Sequence, residues 1–121
     1  MLKADMISGE DFELRFEFFT EGATSSPNDD VVKDITGYTA RAEMRLSSTG
    51  GKVLTTWIDG SPNMTRNDPA GTIVLTIPHD VTPPYDFSVA YIDILLSGPN
   101  DGVRSDAIEV TLDRGVTKWP L

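Results

Sequence analysis

Apolar and polar residues alternate one for one along most of this chain. Phe12, Leu14, Phe16 and Phe18 are interleaved with Glu13, Arg15 and Glu17. Tyr38, Ala40, Ala42, Met44 and Leu46 are interleaved with Thr39, Arg41, Glu43 and Arg45. Successive side chains on a strand point to opposite faces, so each segment is expected to bury one face and wet the other. Lys52 to Asp59 is a third candidate, with Val53, Thr55 and Trp57 on one face and Leu54, Thr56 and Ile58 on the other. Thr72 to Pro78 sets Ile73, Leu75 and Ile77 on one side, and Ala107 to Asp113 alternates through Ile108, Val110 and Leu112. Phe87 to Leu96 is apolar on both faces in its second half, the pattern of a central strand. Helical spacing is not sustained anywhere, and at most a short turn is expected near Asp80 to Thr82.

Turn chemistry separates these segments. Ser48-Thr49-Gly50-Gly51 and Gly98-Pro99-Asn100-Asp101-Gly102 read as hairpin loops. Asp59 to Asn63 and Asn67 to Gly71 read as turns, and Pro83-Pro84 cannot lie inside a central strand. The spacing predicts an all-β fold: one antiparallel β-sandwich, immunoglobulin-like or jelly-roll-like, of about seven strands. The whole chain, 1–121, is expected to form a single domain, with a mobile loop near 21–30 and short extended termini. The expected core is Phe12, Leu14, Phe16, Phe18, Tyr38, Ala40, Ala42, Met44, Ile73, Leu75, Ile77, Ile92, Ile94, Ile108, Val110 and Leu112.

Composition narrows the range of partners. Ten basic against nineteen acidic side chains give a net charge of −9, which disfavours a nucleic-acid backbone or an anionic membrane. Residues 1–34 hold nine of the acids and three of the bases, so the negative field is concentrated there. There is no cysteine, hence no disulfide. The apolar runs are too short for a helix to span a bilayer, and Met1-Leu2-Lys3-Ala4-Asp5 does not read as a signal peptide.

Chemistry is sparse. The single histidine, His79, follows a strand and precedes a turn, and reads as an exposed loop residue rather than a general base. Asp29, Asp30 and Asp34 cluster, and Asp101 follows Asn100, but no calcium-loop spacing is present. Zinc would have one histidine and no thiolate. Gly50-Gly51 lies between strands, not ahead of a helix, so it is no phosphate loop. The expectation is a chain that is not an enzyme, with no catalytic residue, metal or cofactor. Trp57 and Trp119 could stack on a sugar, which keeps a carbohydrate-binding module open. Trp57, in a period-two strand, reads more simply as core.

Residues outside the strands point to docking instead. Glu21 to Asp30, which includes Asp29 and Asp30, lacks large apolar side chains and cannot build a core of its own. Leu2, Met6 and Ile7 precede the first strand of the reading, and Trp119 and Leu121 follow the last. Aromatic residues are favoured interface anchors. These seven positions are the candidate partner-docking residues.

The order of several short motifs resembles a known group. Asp34-Ile35-Thr36-Gly37-Tyr38 leads into Ala40-Arg41-Ala42-Glu43-Met44-Arg45, and a later strand ends in Ile77-Pro78. Ala90-Tyr91-Ile92-Asp93-Ile94, Gly102-Val103-Arg104, Ala107-Ile108-Glu109-Val110 and Gly115-Val116-Thr117 complete the series. Over residues 9 to 118 this resembles small phage virion proteins of the tail and baseplate, including the N-terminal domains of upper-baseplate proteins. The Glu21–Asp30 loop is longer than that pattern expects. The resemblance implies a virion structural protein made in the host cytoplasm: an adaptor or accessory component of tail or baseplate. Its implied partners are other virion proteins and further copies of itself, with no nucleic acid, membrane or small-molecule substrate. A capsid decoration protein is the alternative within that class. An acidic mimic of DNA that blocks a host defence protein is the alternative outside it, although Arg41 and Arg45 interrupt the acidic surface that role needs.

Overall fold

The computed structural model describes residues 3–20, 31–47, 50–81, 87–105 and 107–113. All regular structure among them is β. In chain order the strands are β1 (Lys3–Ile7), β2 (Phe12–Glu17), β3 (Phe19–Thr20), β4 (Val31–Val32), β5 (Thr39–Ser47) and β6 (Gly50–Ile58). They continue as β7 (Met64–Asn67), β8 (Thr72–Ile77), β9 (Val89–Ser97), β10 (Gly102–Arg104) and β11 (Ile108–Asp113). A six-stranded sheet runs β1-β11-β9-β5-β6, with β10 also paired to β9. A three-stranded sheet runs β2-β8-β7, and β3 and β4 form a separate short ribbon.

The two sheets share one core. Met44, Ile92, Ile94 and Val110 from the large sheet and Ile73 and Leu75 from the small one are all fully buried in a single apolar cluster. Trp57 bridges the layers: its ring is buried, and its indole N–H donates to the Thr76 carbonyl of the opposite sheet at 3.0 Å. The strand order is that of an immunoglobulin-type sandwich, with β2, β8 and β7 as strands B, E and D, and β6, β5, β9 and β11 as C′, C, F and G.

The all-β sandwich expected from the alternation is present. It has nine strands in its two sheets rather than about seven. The additional strands are short and bring few large side chains to the core. β1 contributes one large core side chain, Met6, and β7 contributes Met64. β1 also pairs in parallel with β11, from Lys3 opposite Glu109 to Ile7 opposite Asp113, whereas the other pairings are antiparallel. The N-terminal residues described are therefore part of the sheet, not an extended tail.

β9 is central, as its two-sided apolar pattern predicts. It pairs with β5 on one side and with β11 and β10 on the other. Between β10 and β11, Ser105 replaces the ladder: its N–H donates to the Ile94 carbonyl at 3.0 Å, and its Oγ accepts the Ile94 N–H at 3.0 Å. Both backbone groups of a fully buried residue are thereby satisfied.

One strand departs from simple alternation. The β5–β6 ladder pairs Met44 with Thr55 but Arg45 with Val53, so Leu54 is an extra residue. Such a bulge shifts the side chains beyond it to the other face. Val53 is consequently exposed on the same outer face as Ile58, while Trp57 points into the core. The sequence reading had placed Val53 and Trp57 on one face.

Candidate docking surface

Among the described docking candidates, Met6 and Ile7 separate sharply. Met6 is fully buried and so offers nothing to a partner, while its neighbour Ile7 is 44% exposed on the outer side of β1. Leu2, Asp29, Asp30, Trp119 and Leu121 lie outside the described residues. The structure thus gathers no surface from the described candidates beyond Ile7.

The polar clusters are occupied by structural duties. Asp34 closes a tight turn: its Oδ1 accepts the Thr36 N–H at 2.9 Å and the Thr36 hydroxyl at 2.6 Å. Those bonds hold its carboxyl below the usual carboxylate range, the hydroxyl contributing most. Gly37 follows with φ +87, a conformation that favours glycine, and buried Ile35 anchors the turn to the core. The Asp-Ile-Thr-Gly motif is therefore a folding element. Asp101 accepts a hydrogen bond from the Tyr38 hydroxyl and pairs with the Lys33 ammonium at 3.7 Å. His79 is exposed, with its N–H donating to Asp11 Oδ1 at 2.7 Å and its ring Nδ1 3.1 Å from the same oxygen. The backbone bond from His79, then the ring contact, lower the Asp11 carboxyl from its ordinary value.

Arg66 is the busiest polar side chain. Its Nε donates to Asp68 Oδ1 at 2.8 Å and one terminal nitrogen to Asp59 Oδ1 at 2.7 Å. The terminal nitrogens also donate to the carbonyls of Tyr38 at 2.8 Å and Ile35 at 3.0 Å. Partial burial pulls its pKa down, but Asp59 and Asp68 outweigh this and raise it above the ordinary value. Asp59 in turn accepts the Ala40 N–H at 2.8 Å. The guanidinium thus clamps β7 and the β6–β7 turn to the start of β5. It lines an open depression with Gly60, Asn67 and Pro69, with four of its five donors used.

The large sheet's outer face holds a different combination. Arg41, Glu43 and Arg45 line β5, with Arg45 bonded to Glu43 at 2.9 Å and to the Gly51 carbonyl at 2.9 Å. Arg45, then burial acting against it, and Arg41 leave the Glu43 carboxyl lowered overall. Directly opposite on β6, Val53 pairs with Arg45 and Ile58 with Arg41. Both apolar side chains are exposed, Val53 by 36% and Ile58 by 51%.

β6 also ends its sheet. Proteins usually protect such edges with charge, short length or cover. The edge strand β1 carries Lys3 and Asp5, β2 carries Glu13, Arg15 and Glu17, and β7 is only four residues long. β6 runs nine residues, Gly-Gly-Lys-Val-Leu-Thr-Thr-Trp-Ile, with Lys52 its one charge. Neither length nor charge protects it, it carries the bulge at Leu54, and among the described residues no strand pairs with its outer side. Sequence periodicity identified the strand but gave no sign that it lies at an edge.

No protein-family model matches the chain. No curated protein matches it either.

Proposed function

We propose that this chain is a non-enzymatic structural protein that works by docking in several copies against other proteins, as a tail or baseplate component of a phage virion. The supporting observation is the long, nearly uncharged β6 edge, which carries exposed Val53 and Ile58. An unpaired strand offers a row of backbone donors and acceptors to an incoming chain, and its outward side chains select which chain fits. The virion setting is supported by the motif order described above. The strong negative charge is in keeping with it, because it keeps free copies apart before assembly. The test is a mass-spectrometric inventory of virions purified from the phage that encodes the chain. Peptides of this chain at a stoichiometry comparable to tail proteins are expected. Their absence from the particles overturns the virion role. Electron microscopy that places the copies on the capsid lattice converts the reading to a decoration protein.

A further inference from the structure

The β6 edge is self-complementary. From residue 52 to residue 59 it reads Lys-Val-Leu-Thr-Thr-Trp-Ile-Asp, a base followed by two apolar residues and threonine, then the reverse order ending in an acid. The bulge at Leu54 places Val53 on the same outer face as Ile58. With Leu54 left out of the ladder as the bulge residue, an antiparallel copy related by a twofold axis through Thr56 sets Val53 opposite Ile58 of the second copy, and Lys52 opposite Asp59. Thr56, exposed at the centre, meets its own counterpart.

Charge favours this partner. The chain as a whole repels its copies, with a net charge of −9. Along β5 and β6 as far as Asp59, Arg41, Arg45 and Lys52 outnumber Glu43 and Asp59, so this edge is locally net positive within an acidic chain. Lys52 has no ion pair among the described residues, whereas Asp59 keeps a side chain 36% exposed beyond its bond to Arg66. A carboxylate offers about four acceptor directions, enough to hold Arg66, the Ala40 N–H and a lysine from a second copy.

We propose that two copies of the chain join edge to edge through β6, forming a twofold dimer with one sheet continuous across both. The inference rests on the multi-copy reading above and names its partner as a second copy of this chain. A closed twofold contact covers both β6 edges at once.

Sedimentation equilibrium of the full chain from micromolar to millimolar concentration tests it. A reversible monomer–dimer equilibrium is expected. Thr56→Lys opposes two like charges on the axis and should raise the dimer Kd at least about tenfold, with an unchanged melting temperature at concentrations where both chains are monomeric. Thr56→Cys, in a chain with no other thiol, should oxidise to a covalent dimer. Opposed residues in an antiparallel pair have Cα atoms about 4.5–5.5 Å apart, within disulfide reach. Thr65→Cys, exposed on β7, should stay monomeric under the same oxidation.

A chain monomeric at every concentration overturns the inference. So does a dimer that Thr56→Lys leaves intact, or equal cross-linking of the two cysteine variants. Incorporation separates this inference from the reading beneath it. Thr56→Lys protein that stays monomeric yet enters particles normally removes the edge dimer and leaves the virion role. A β6 dimer formed by a chain absent from particles does the reverse.

Discussion

Gly71→Ala should destabilise the fold far more than Gly60→Ala, although both glycines have positive φ, +66 and +85. A left-handed backbone costs an alanine about 1–2 kcal/mol. The reduced freedom of the unfolded chain returns roughly 0.4–1 kcal/mol of that. At Gly60 nothing lies within 4 Å of the added methyl, so the net loss should be about 1 kcal/mol. At Gly71 the methyl would sit 2.3 Å from the Lys33 carbonyl oxygen and 3.0 Å from that of Phe18. Both are backbone atoms, so the chain itself must move. The segment held there includes the Phe18 N–H bond to the Gly71 carbonyl at 2.8 Å and the Lys33 N–H bond to the Phe18 carbonyl at 2.9 Å. Each bond lost contributes about 1 kcal/mol, and up to about 3 kcal/mol where the group is left buried and unpaired. The total for Gly71→Ala is then about 3–5 kcal/mol. Urea unfolding at equilibrium measures both variants, with an unchanged m-value confirming that the denatured state is comparable. Equal losses at the two sites would refute the close-approach argument.

Three further outcomes follow from the core and the polar clusters. Leu75→Ala, at a fully buried position facing the large sheet, should lose about 2–5 kcal/mol, whereas Val81→Ala, 40% exposed, should lose less than about 0.5 kcal/mol; similar losses would place the core wrongly. Arg66→Met removes the clamp on Asp59, Asp68 and two carbonyls and should cost about 3 kcal/mol or more in chemical denaturation; a neutral result would make the guanidinium dispensable. The Asp11, Asp34 and Glu43 carboxyls are all lowered in the folded chain, so it binds fewer protons there than the unfolded chain does. Their stabilisation is complete above the ordinary carboxylate range and is lost as pH falls through the lowered folded values. Melting temperature should therefore drop on acidification through about pH 4 and below, with Glu43→Gln flattening part of the drop; a melt insensitive to pH there would contradict these pairings.

Period-two alternation revealed the strands that bury one face against a core. Phe12 and Phe16, Ala42 and Met44, and Ile92 and Ile94 are buried as their spacing predicts. Leu14 and Tyr38 are only half-buried: β2 is a sheet margin, and Tyr38 reaches outward to bond Asp101. Strands with one large inward side chain, such as β1 and β7, gave too little pattern to be seen. The parallel pairing of β1 was invisible because alternation encodes faces, not neighbours. Ile35 was missed as a core residue because it lies in a turn motif. The Arg66 clamp joins carbonyls 28 and 31 residues away, and no local signal carries such a contact. The β6 bulge was hidden for the same reason, since it exists only relative to β5. The docking positions chosen from the termini reflected their place outside recognised strands, and Met6 proved to belong to one.

The parallel contact between β1 and β11 has a mechanical consequence. Because the two strands point the same way, the chain enters β1 at one pole of the sandwich and leaves β11 at the other. Five register pairs hold them together, spanning about 17 Å of ladder at roughly 3.3 Å per residue. A force applied to the two ends of the molecule therefore slides β1 along β11 rather than peeling it away. Sliding strains the whole row of hydrogen bonds together, whereas peeling breaks them one after another. Tethered by its ends, the molecule should yield in a single abrupt step at high force, behaving as a stiff link in a chain under tension.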